Sequence, residues 1–333
     1  MRSMLLLIGC AAGCATPAAR LGVNGLDVWQ TNRVTAAALV ERHEGSLRPW
    51  AAAACAQRPE LFALKDRAVT ELTAAELRGA EVSLSAIVFR GGVNAGHCYA
   101  TIEVVEPEDR AQRSVFREDP TGHPPVPEAL FATWNAYLET SERVAAPIAH
   151  TPCPVFHCLS RGFDHPALAS FLPNLEAAVP GHEGELRLIV LQHADAERRA
   201  AALFLLAHGH DGPGLVEVAA GALTDPNSLV RNNAARVLGA IVESHPELSV
   251  PLGPLIPLAN GPTTTDRNKA LSAISNAIRS DADRLVVLDR LGPLLLRFVR
   301  QENPLVRDPA RRILERACGS DERTWRRCVD ERR

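Results

Sequence analysis

Four side chains that can bind metals or form disulfides lie within nine residues of one another, at His150, Cys153, His157 and Cys158. Zinc accepts cysteine thiolates and histidine nitrogens in a tetrahedral arrangement. Zinc ligands more often come as two separated pairs, however, and two prolines restrict this short segment. A disulfide between Cys153 and Cys158 is therefore the favoured interpretation. A metal-binding or accessory enzyme that uses the cluster is the alternative.

A second group of candidate functional residues recurs along the C-terminal half of the chain. VRNNAARVL (230–238) and DRNKALSAI (266–274) both place Arg-Asn after their first residue. Two further segments, ERRAAALFLLA and VRDPARRILER, align with them without gaps. The aligned arginines are Arg198, Arg231, Arg267 and Arg307, at spacings of 33, 36 and 40 residues.

The recurring arginine has two interpretations. In a stack of repeats, an arginine can hold an Asp or Asn of a neighbouring turn, such as Asp225, because its planar fork suits a carboxylate and tolerates partial burial. This ladder of polar bonds is the favoured interpretation. Alternatively, a surface that binds a partner is lined by Arg231, Asn232, Arg267 and Asn268. Since arginine alone recurs in all four segments, the asparagines are the better candidates for a role in binding.

Pairs of helices must position these arginines. Each aligned segment follows another apolar helical stretch, and a turn that carries Asp or Asn separates the two. Helix–turn–helix units that recur at this spacing are typical of α-solenoids. The segment LTDPNSLVRNNAARVLGAI resembles a HEAT repeat, whose second helix commonly opens with Val-Arg and continues with small residues and Leu. The resemblance covers residues 168–317 and extends to uncharacterised bacterial HEAT-repeat proteins. It implies a mostly α fold of about four stacked antiparallel helical pairs, which bind other proteins along a curved surface.

Residues 20–106 predict a small α+β module ahead of the repeats. A short strand near Leu26 precedes two helices, and Thr35 is a suitable N-cap for the first of them. EVSLSAIVFR and CYATIEVVE then alternate apolar and polar residues on either side of a glycine-rich loop, which predicts a β-hairpin. The order β-α-α-β-β resembles that of POTRA-type modules, although no diagnostic motif accompanies it. That resemblance implies association with partner chains through strands added at a sheet edge.

Two further segments flank the repeats. Residues 107–167 begin with a stretch rich in proline and charge, which predicts a linker or an irregular flap. They continue with a helix from Pro127 and the cysteine-containing segment. Residues 318–333 predict a C-terminal cap. A terminal repeat exposes an apolar face that a helix carrying Trp325 can cover.

The first 14 residues indicate export. Arg2 precedes the apolar run MLLLI, which is too short to span a membrane and is typical of a secretory signal. Cys10 and Cys14 each follow a small residue, as in the lipobox of bacterial lipoproteins, where an acylated cysteine becomes the mature N-terminus. That resemblance implies a lipid anchor at a membrane. An ordinary cleaved signal peptide is the alternative.

The remaining six cysteines are an even number, as expected if all are paired in an oxidising periplasm. Proximity along the chain favours one connectivity among the many that six cysteines allow. Its pairs are Cys55–Cys98, Cys153–Cys158 and Cys318–Cys328. Free buried thiols are the alternative.

Composition and motifs narrow the function. The chain has 333 residues and a net charge of −3, so it lacks the positive surplus of a nucleic-acid-binding protein. It contains no P-loop, no G-x-G-x-x-G fingerprint and no G-x-S-x-G elbow. We therefore expect a non-enzymatic binding or scaffold protein without a cofactor. We expect it to be exported to the periplasm, held at a membrane by a lipid and bound to a protein partner of the cell envelope.

Overall fold

The computed structural model describes residues 16–144, 153–159 and 162–331. The chain divides into two compact units, of which the first ends at Pro107 and the second begins at Glu108. The predicted lipidation sites Cys10 and Cys14 lie outside the described residues, so the lipid anchor stays a prediction. None of the described helices has the length and apolar character that a bilayer crossing requires.

The first unit packs helices against a three-stranded sheet. Its strands are β1 (Gly25–Trp29), β2 (Glu81–Val88) and β3 (Cys98–Val105), in the spatial order β1-β3-β2. The central strand β3 pairs in parallel with β1 and antiparallel with β2. The helices are α1 (Pro17–Leu21), α2 (Ala36–Cys55) and α3 (Leu61–Ala74). The predicted order β-α-α-β-β is therefore present, with one short helix added before it.

Local sequence signals explain where these elements begin and what they bury. The Thr35 hydroxyl accepts a hydrogen bond from the Ala38 backbone N–H at 3.2 Å, which caps α2 as predicted. The core of this unit collects large apolar side chains from α2 and the sheet, with Trp50 and Ile102 at most 1% exposed. A disulfide between Cys55 and Cys98 joins the end of α2 to the start of β3.

Four helical pairs form most of the second unit. Their first helices are α8 (Glu183–Gln192), α10 (Gly212–Ala222), α12 (Leu252–Leu258) and α14 (Asp281–Phe298). Their second helices are α9 (Ala196–Leu206), α11 (Ser228–Ser244), α13 (Thr264–Ala277) and α15 (Pro304–Cys318). Each second helix packs against the second helix of the next pair. The four pairs agree with the number expected from the sequence.

Each second helix begins at a residue whose side-chain oxygen accepts a hydrogen bond from a backbone N–H of the first turn. The capping residues are Asp195, Asn227, Thr263 and Asn303. Such caps satisfy donors that a helix start otherwise leaves unpaired, which explains why every intra-repeat turn carries a short polar side chain.

Further helices precede and follow the four pairs. They are α4 (Arg110–Arg113), α5 (Glu128–Arg143), α6 (Pro166–Ala169), α7 (Phe171–Ala178) and α16 (Glu322–Asp330). Helix α16 packs on α14 and α15, and a disulfide between Cys318 and Cys328 fixes it there. Trp325 is 3% exposed, and its indole N–H donates to the Gly319 carbonyl at 2.7 Å. The predicted cap over the last repeat is therefore present.

Candidate functional site

Two arginines of the repeats form buried, bidentate ion pairs with aspartates of the next repeat. Nε and Nη2 of Arg199 donate to the Asp225 carboxylate at 2.9 and 2.8 Å. The same atoms of Arg231 donate to the Asp266 carboxylate at 3.0 and 2.9 Å. All four side chains are at most 2% exposed. Each pair therefore joins one repeat to its successor, as a ladder requires.

The same arginines also hold the turn of their own repeat. Nη1 of Arg199 donates to the carbonyls five and six residues before it, at 2.9 and 2.8 Å. Nη1 of Arg231 does so at 2.8 and 2.7 Å. Arg267 donates to the carbonyl six residues before it at 3.1 Å, and Arg307 to the carbonyl five residues before it at 3.5 Å. These contacts show that the four arginines are structurally equivalent.

The alignment of the first repeat was therefore wrong by one residue. It selected Arg198, whose side chain is 32% exposed and pairs with the exposed carboxylate of Glu128 at 2.8 Å. Arg199 is the ladder residue. One residue along a helix turns a side chain by about 100°, so two adjacent arginines cannot both face the turn.

The last two arginines differ from the first two. Arg267 is fully buried and contacts Thr264 Oγ1 at 3.3 Å in addition to its own turn. Arg307 is 37% exposed and pairs with the neighbouring Asp308 at 2.8 Å. The acceptor that the third repeat offers to Arg231 is the carboxylate of Asp266, at the start of α13. The sequence had predicted an acceptor in the turn before that helix. The aspartate at 225 follows that prediction.

Asparagines link adjacent second helices. Asn233 Nδ2 donates to the Ala200 carbonyl at 3.0 Å, and Asn268 Nδ2 donates to the Leu305 carbonyl at 2.5 Å. Asn268 is only 7% exposed, so it is a packing residue. Asn232 is half-buried and donates to the neighbouring Asn233 side chain at 3.2 Å.

These contacts correct the expected partner surface. The buried side chains of Arg231, Arg267 and Asn268 are engaged inside the stack and do not reach a partner. Of the four residues named for that surface, Asn232 alone keeps part of its side chain in solvent.

A strap, residues 113–122, starts at the last residue of α4, continues as non-helical chain, and runs along the turns of three successive repeats. Gly122 exchanges backbone hydrogen bonds of 2.9 and 2.8 Å with the turn of the first repeat. The Arg117 N–H donates to the Thr224 carbonyl of the second repeat at 2.8 Å. Arg113 Nε donates to the Asn260 carbonyl of the third repeat at 3.3 Å. The segment predicted as a linker is thus packed onto the repeats.

The strap also joins the ladder. Arg117 Nη2 donates to the Asp225 carboxylate at 2.6 Å, and the guanidinium of Arg231 lies 3.9 Å from the ring centroid of Phe116. Burial acts to raise the pKa of Asp225, but hydrogen bonds from Arg199 and Arg117 outweigh it and hold that pKa below its usual range. No sequence pattern indicated the strap, because its contacts are single polar side chains without periodicity.

The cysteine-containing segment is closed by a disulfide between Cys153 and Cys158. Their sulfurs are joined to each other and so cannot act as thiolate ligands in this state. His157 stacks on the ring of Phe204 in α9, with centroids 4.7 Å apart, and is 7% exposed. His150 lies outside the described residues. Within the described ranges, no three His, Cys, Asp or Glu side chains are grouped so that they could hold a metal ion.

A comparison with family models gives one match. The model described as HEAT repeat matches residues 215–245, which include most of α10 and all of α11. The four helical pairs of the second unit have a HEAT-like helical repeat fold. The matched pair contains Arg231, and the other three pairs share its turn contacts. No curated protein matches the chain.

Proposed function

We propose that this HEAT-like repeat protein is a non-enzymatic scaffold that binds a protein partner in the bacterial cell envelope. The match of residues 215–245 to the HEAT repeat carries the proposal, because such repeats commonly mediate contacts between proteins. Stacked pairs present side chains from successive repeats on one continuous surface, which suits recognition of an extended partner.

The buried ladder indicates which surface is available for a partner. The half-buried Asn232 and Arg236 of α11 lie four positions apart, and the half-buried polar residues of α13 lie three or four positions apart, which places them on one stripe of each helix. We call this the second-helix stripe, and it consists of Asn232, Arg236, Lys269, Ser272 and Asn276. Because the ladder side chains are occupied inside the stack, the stripe supplies the polar groups that a partner can reach.

The proposed location rests on the N-terminal sequence and the disulfides. The lipobox-like segments at Cys10 and Cys14 favour export with a lipid anchor. Three disulfides, at the pairs expected from the sequence, are compatible with an oxidising compartment such as the periplasm.

Site-specific photo-crosslinking in envelope preparations tests the proposal. A crosslinker replaces Asn276 on the second-helix stripe, and a control crosslinker replaces Glu217, an exposed residue of the first helix α10. We expect one protein to be captured at position 276 and not at position 217. Capture at 217 alone, or equal capture at both positions, would contradict binding through this surface.

The non-enzymatic assignment has its own test. Metal content and free thiols are measured on the purified full chain. We expect no stoichiometric metal and no free thiol at Cys153 or Cys158, because their sulfurs are joined. Stoichiometric zinc with both thiols reduced would instead favour the metal-binding alternative.

A further inference from the structure

His157 and three further basic side chains whose charges act on it, Arg236, His208 and Lys269, form a group near the end of α9, and we call them the basic cluster. His157 stacks on the ring of Phe204, and the guanidinium carbon of Arg236 lies 5.3 Å from its centroid. Lys269 lies on α13, the helix that packs next to α11, and its charge acts on His157 as that of Arg236 does. His208 follows the end of α9, is 2% exposed, and completes the cluster.

Among the residues that the structure describes, the two cations of the basic cluster have no counter-charge. Arg236 and Lys269 are half-buried, and in the described part of the chain neither forms an ion pair or a hydrogen bond. The stretches outside that part contain no Asp or Glu. The acidic side chains on the same two helices are occupied or distant. Asp266 is bound to Arg231, and Glu243 lies about two helical turns from Arg236.

This arrangement differs from the two buried arginine–aspartate pairs of the stack. Arg199 and Arg231 each meet a carboxylate with two hydrogen bonds, although they are more buried than Arg236. An unpaired cation that is partly removed from water is unfavourable, and a second cation beside it adds repulsion. The fold therefore retains an uncompensated positive charge where a carboxylate could have been placed.

The titration behaviour agrees with this geometry. Burial, followed by the charge of Arg236, lowers the pKa of Lys269. Burial, followed by the charges of Arg236, His208 and Lys269, lowers the pKa of His157 to about 3. At neutral pH the His157 imidazole is therefore uncharged and has one N–H to donate. The cluster disfavours a further positive charge and favours a negative one.

We propose that Arg236 and Lys269 form a binding site for a compact oxyanion, such as phosphate, sulfate or a carboxylate group, with His157 beside it. The guanidinium fork of Arg236 suits the paired oxygens of these groups, and the ammonium of Lys269 adds a second charge-assisted hydrogen bond. The apolar neighbours Phe204 and Trp134 are at most 7% exposed, so a small polar group fits this site better than a large apolar ligand. The site goes beyond partner binding, since a free ion can occupy it without another protein.

Thermal unfolding of the full chain at pH 7 tests the site. Sodium phosphate, sulfate and acetate are titrated separately against sodium chloride at equal ionic strength. Four proteins are compared: the native chain, Arg236→Gln, Lys269→Gln and the control Arg312→Gln. Arg312 occupies the position on α15 that corresponds to Arg236, is exposed, and forms no ion pair within the described residues. The control therefore removes the same charge outside the cluster.

We expect at least one oxyanion to raise the melting temperature of the native chain and the control along a saturating curve. Either cluster substitution should weaken the apparent affinity by about tenfold or more, because it removes a charge-assisted contact. The three oxyanions separate the ligand classes, since a carboxylate site responds to acetate and a tetrahedral-anion site to phosphate or sulfate. Equal, unsaturated rises in all four proteins would reflect only exclusion of these salts from protein surfaces and would overturn the proposal. So would the absence of any rise in the native chain.

The His157 imidazole offers a second readout that does not depend on stability. Proton NMR follows its titration with and without the oxyanion that gives the largest thermal response. A bound anion should raise the pKa of His157 in the native chain and in the charge-conserving Arg236→Lys variant, and should leave it unchanged in Arg236→Gln. An unchanged titration in the native chain would place the anion elsewhere and would refute the site.

Discussion

Replacement of Arg231 by alanine should be among the most destabilising single changes in the second unit. The Arg231 side chain is 2% exposed and makes two hydrogen bonds to Asp266 and two to carbonyls of its own turn, all between 2.7 and 3.0 Å. Alanine removes all four. It also leaves the Asp266 carboxylate fully buried without its cation.

The unpaired carboxylate dominates the expected cost. Breaking a buried ion pair by removing one partner costs about 3–5 kcal/mol, because the remaining charge stays desolvated. For a unit of this size, a loss of that order lowers the melting temperature by roughly 6–20 °C. Arg198→Ala is the matched control, since the Arg198 side chain makes an exposed pair worth about 1 kcal/mol or less.

Urea unfolding, followed by circular dichroism, measures both variants and the double variant Arg231→Met/Asp266→Leu. The double variant removes both charges, so it should recover most of the stability that the single variant loses. The ladder reasoning is refuted if Arg231→Ala and Arg198→Ala lose the same free energy of unfolding. It is equally refuted if the double variant is no more stable than Arg231→Ala.

Three further predictions concern other contacts of the second unit. Arg117→Ala should lower the free energy of unfolding by only about 1–2 kcal/mol, because Asp225 keeps both hydrogen bonds from Arg199. Hydrogen exchange of the strap backbone should nevertheless rise markedly in this variant. Unchanged exchange would show that Arg117 does not hold the strap. The pKa of His157 is lowered to about 3 in the folded state, whereas in the unfolded chain this imidazole takes up a proton below about pH 6.5. The free energy of unfolding therefore falls as the pH drops from about 6.5 toward 3, by about 1.4 kcal/mol per pH unit. Urea unfolding at pH 7 and pH 5 should show a smaller loss in His157→Phe than in the native chain, and equal losses would contradict this. Replacement of Cys318 and Cys328 by serine should lower the free energy of unfolding by up to about 3 kcal/mol and so lower the melting temperature. Calorimetry that shows the same melting temperature as the native chain would argue against the cap disulfide.

Much of the fold could be predicted because its signals are local. The polar residues that begin each second helix are adjacent in sequence to the backbone groups they cap, so the turn within each helical pair carries a local signal. The alternation in CYATIEVVE predicted a strand for the same reason. Two of the disulfides close loops of only 5 and 10 residues, which made those pairings readable from spacing alone.

The candidate site was less predictable, because it depends on residues far apart in the chain. Arg236 and Lys269 lie on different repeats, and His157 reaches them from a disulfide-closed segment before the repeats. In the sequence, each is an ordinary polar residue of a helix or loop. What distinguishes the two cations is the lack of a carboxylate beside them, and a sequence does not show which charges become neighbours.

The sequence by itself determined the repeated helical pairs, the polar turns within them and the recurring arginine. Amphipathic periodicity and capping act within a few residues, so they can be read from adjacent positions. Tertiary structure decided that Arg199 and not Arg198 joins the ladder, that Asp266 is its partner on the third repeat, and that a proline-rich segment becomes a strap. The first two outcomes depend on how one helix is rotated against its neighbour, and the third depends on hydrogen bonds to turns that are distant in sequence. A single residue changes the direction of a side chain by about 100°, so only the packed stack selects the one that faces inward.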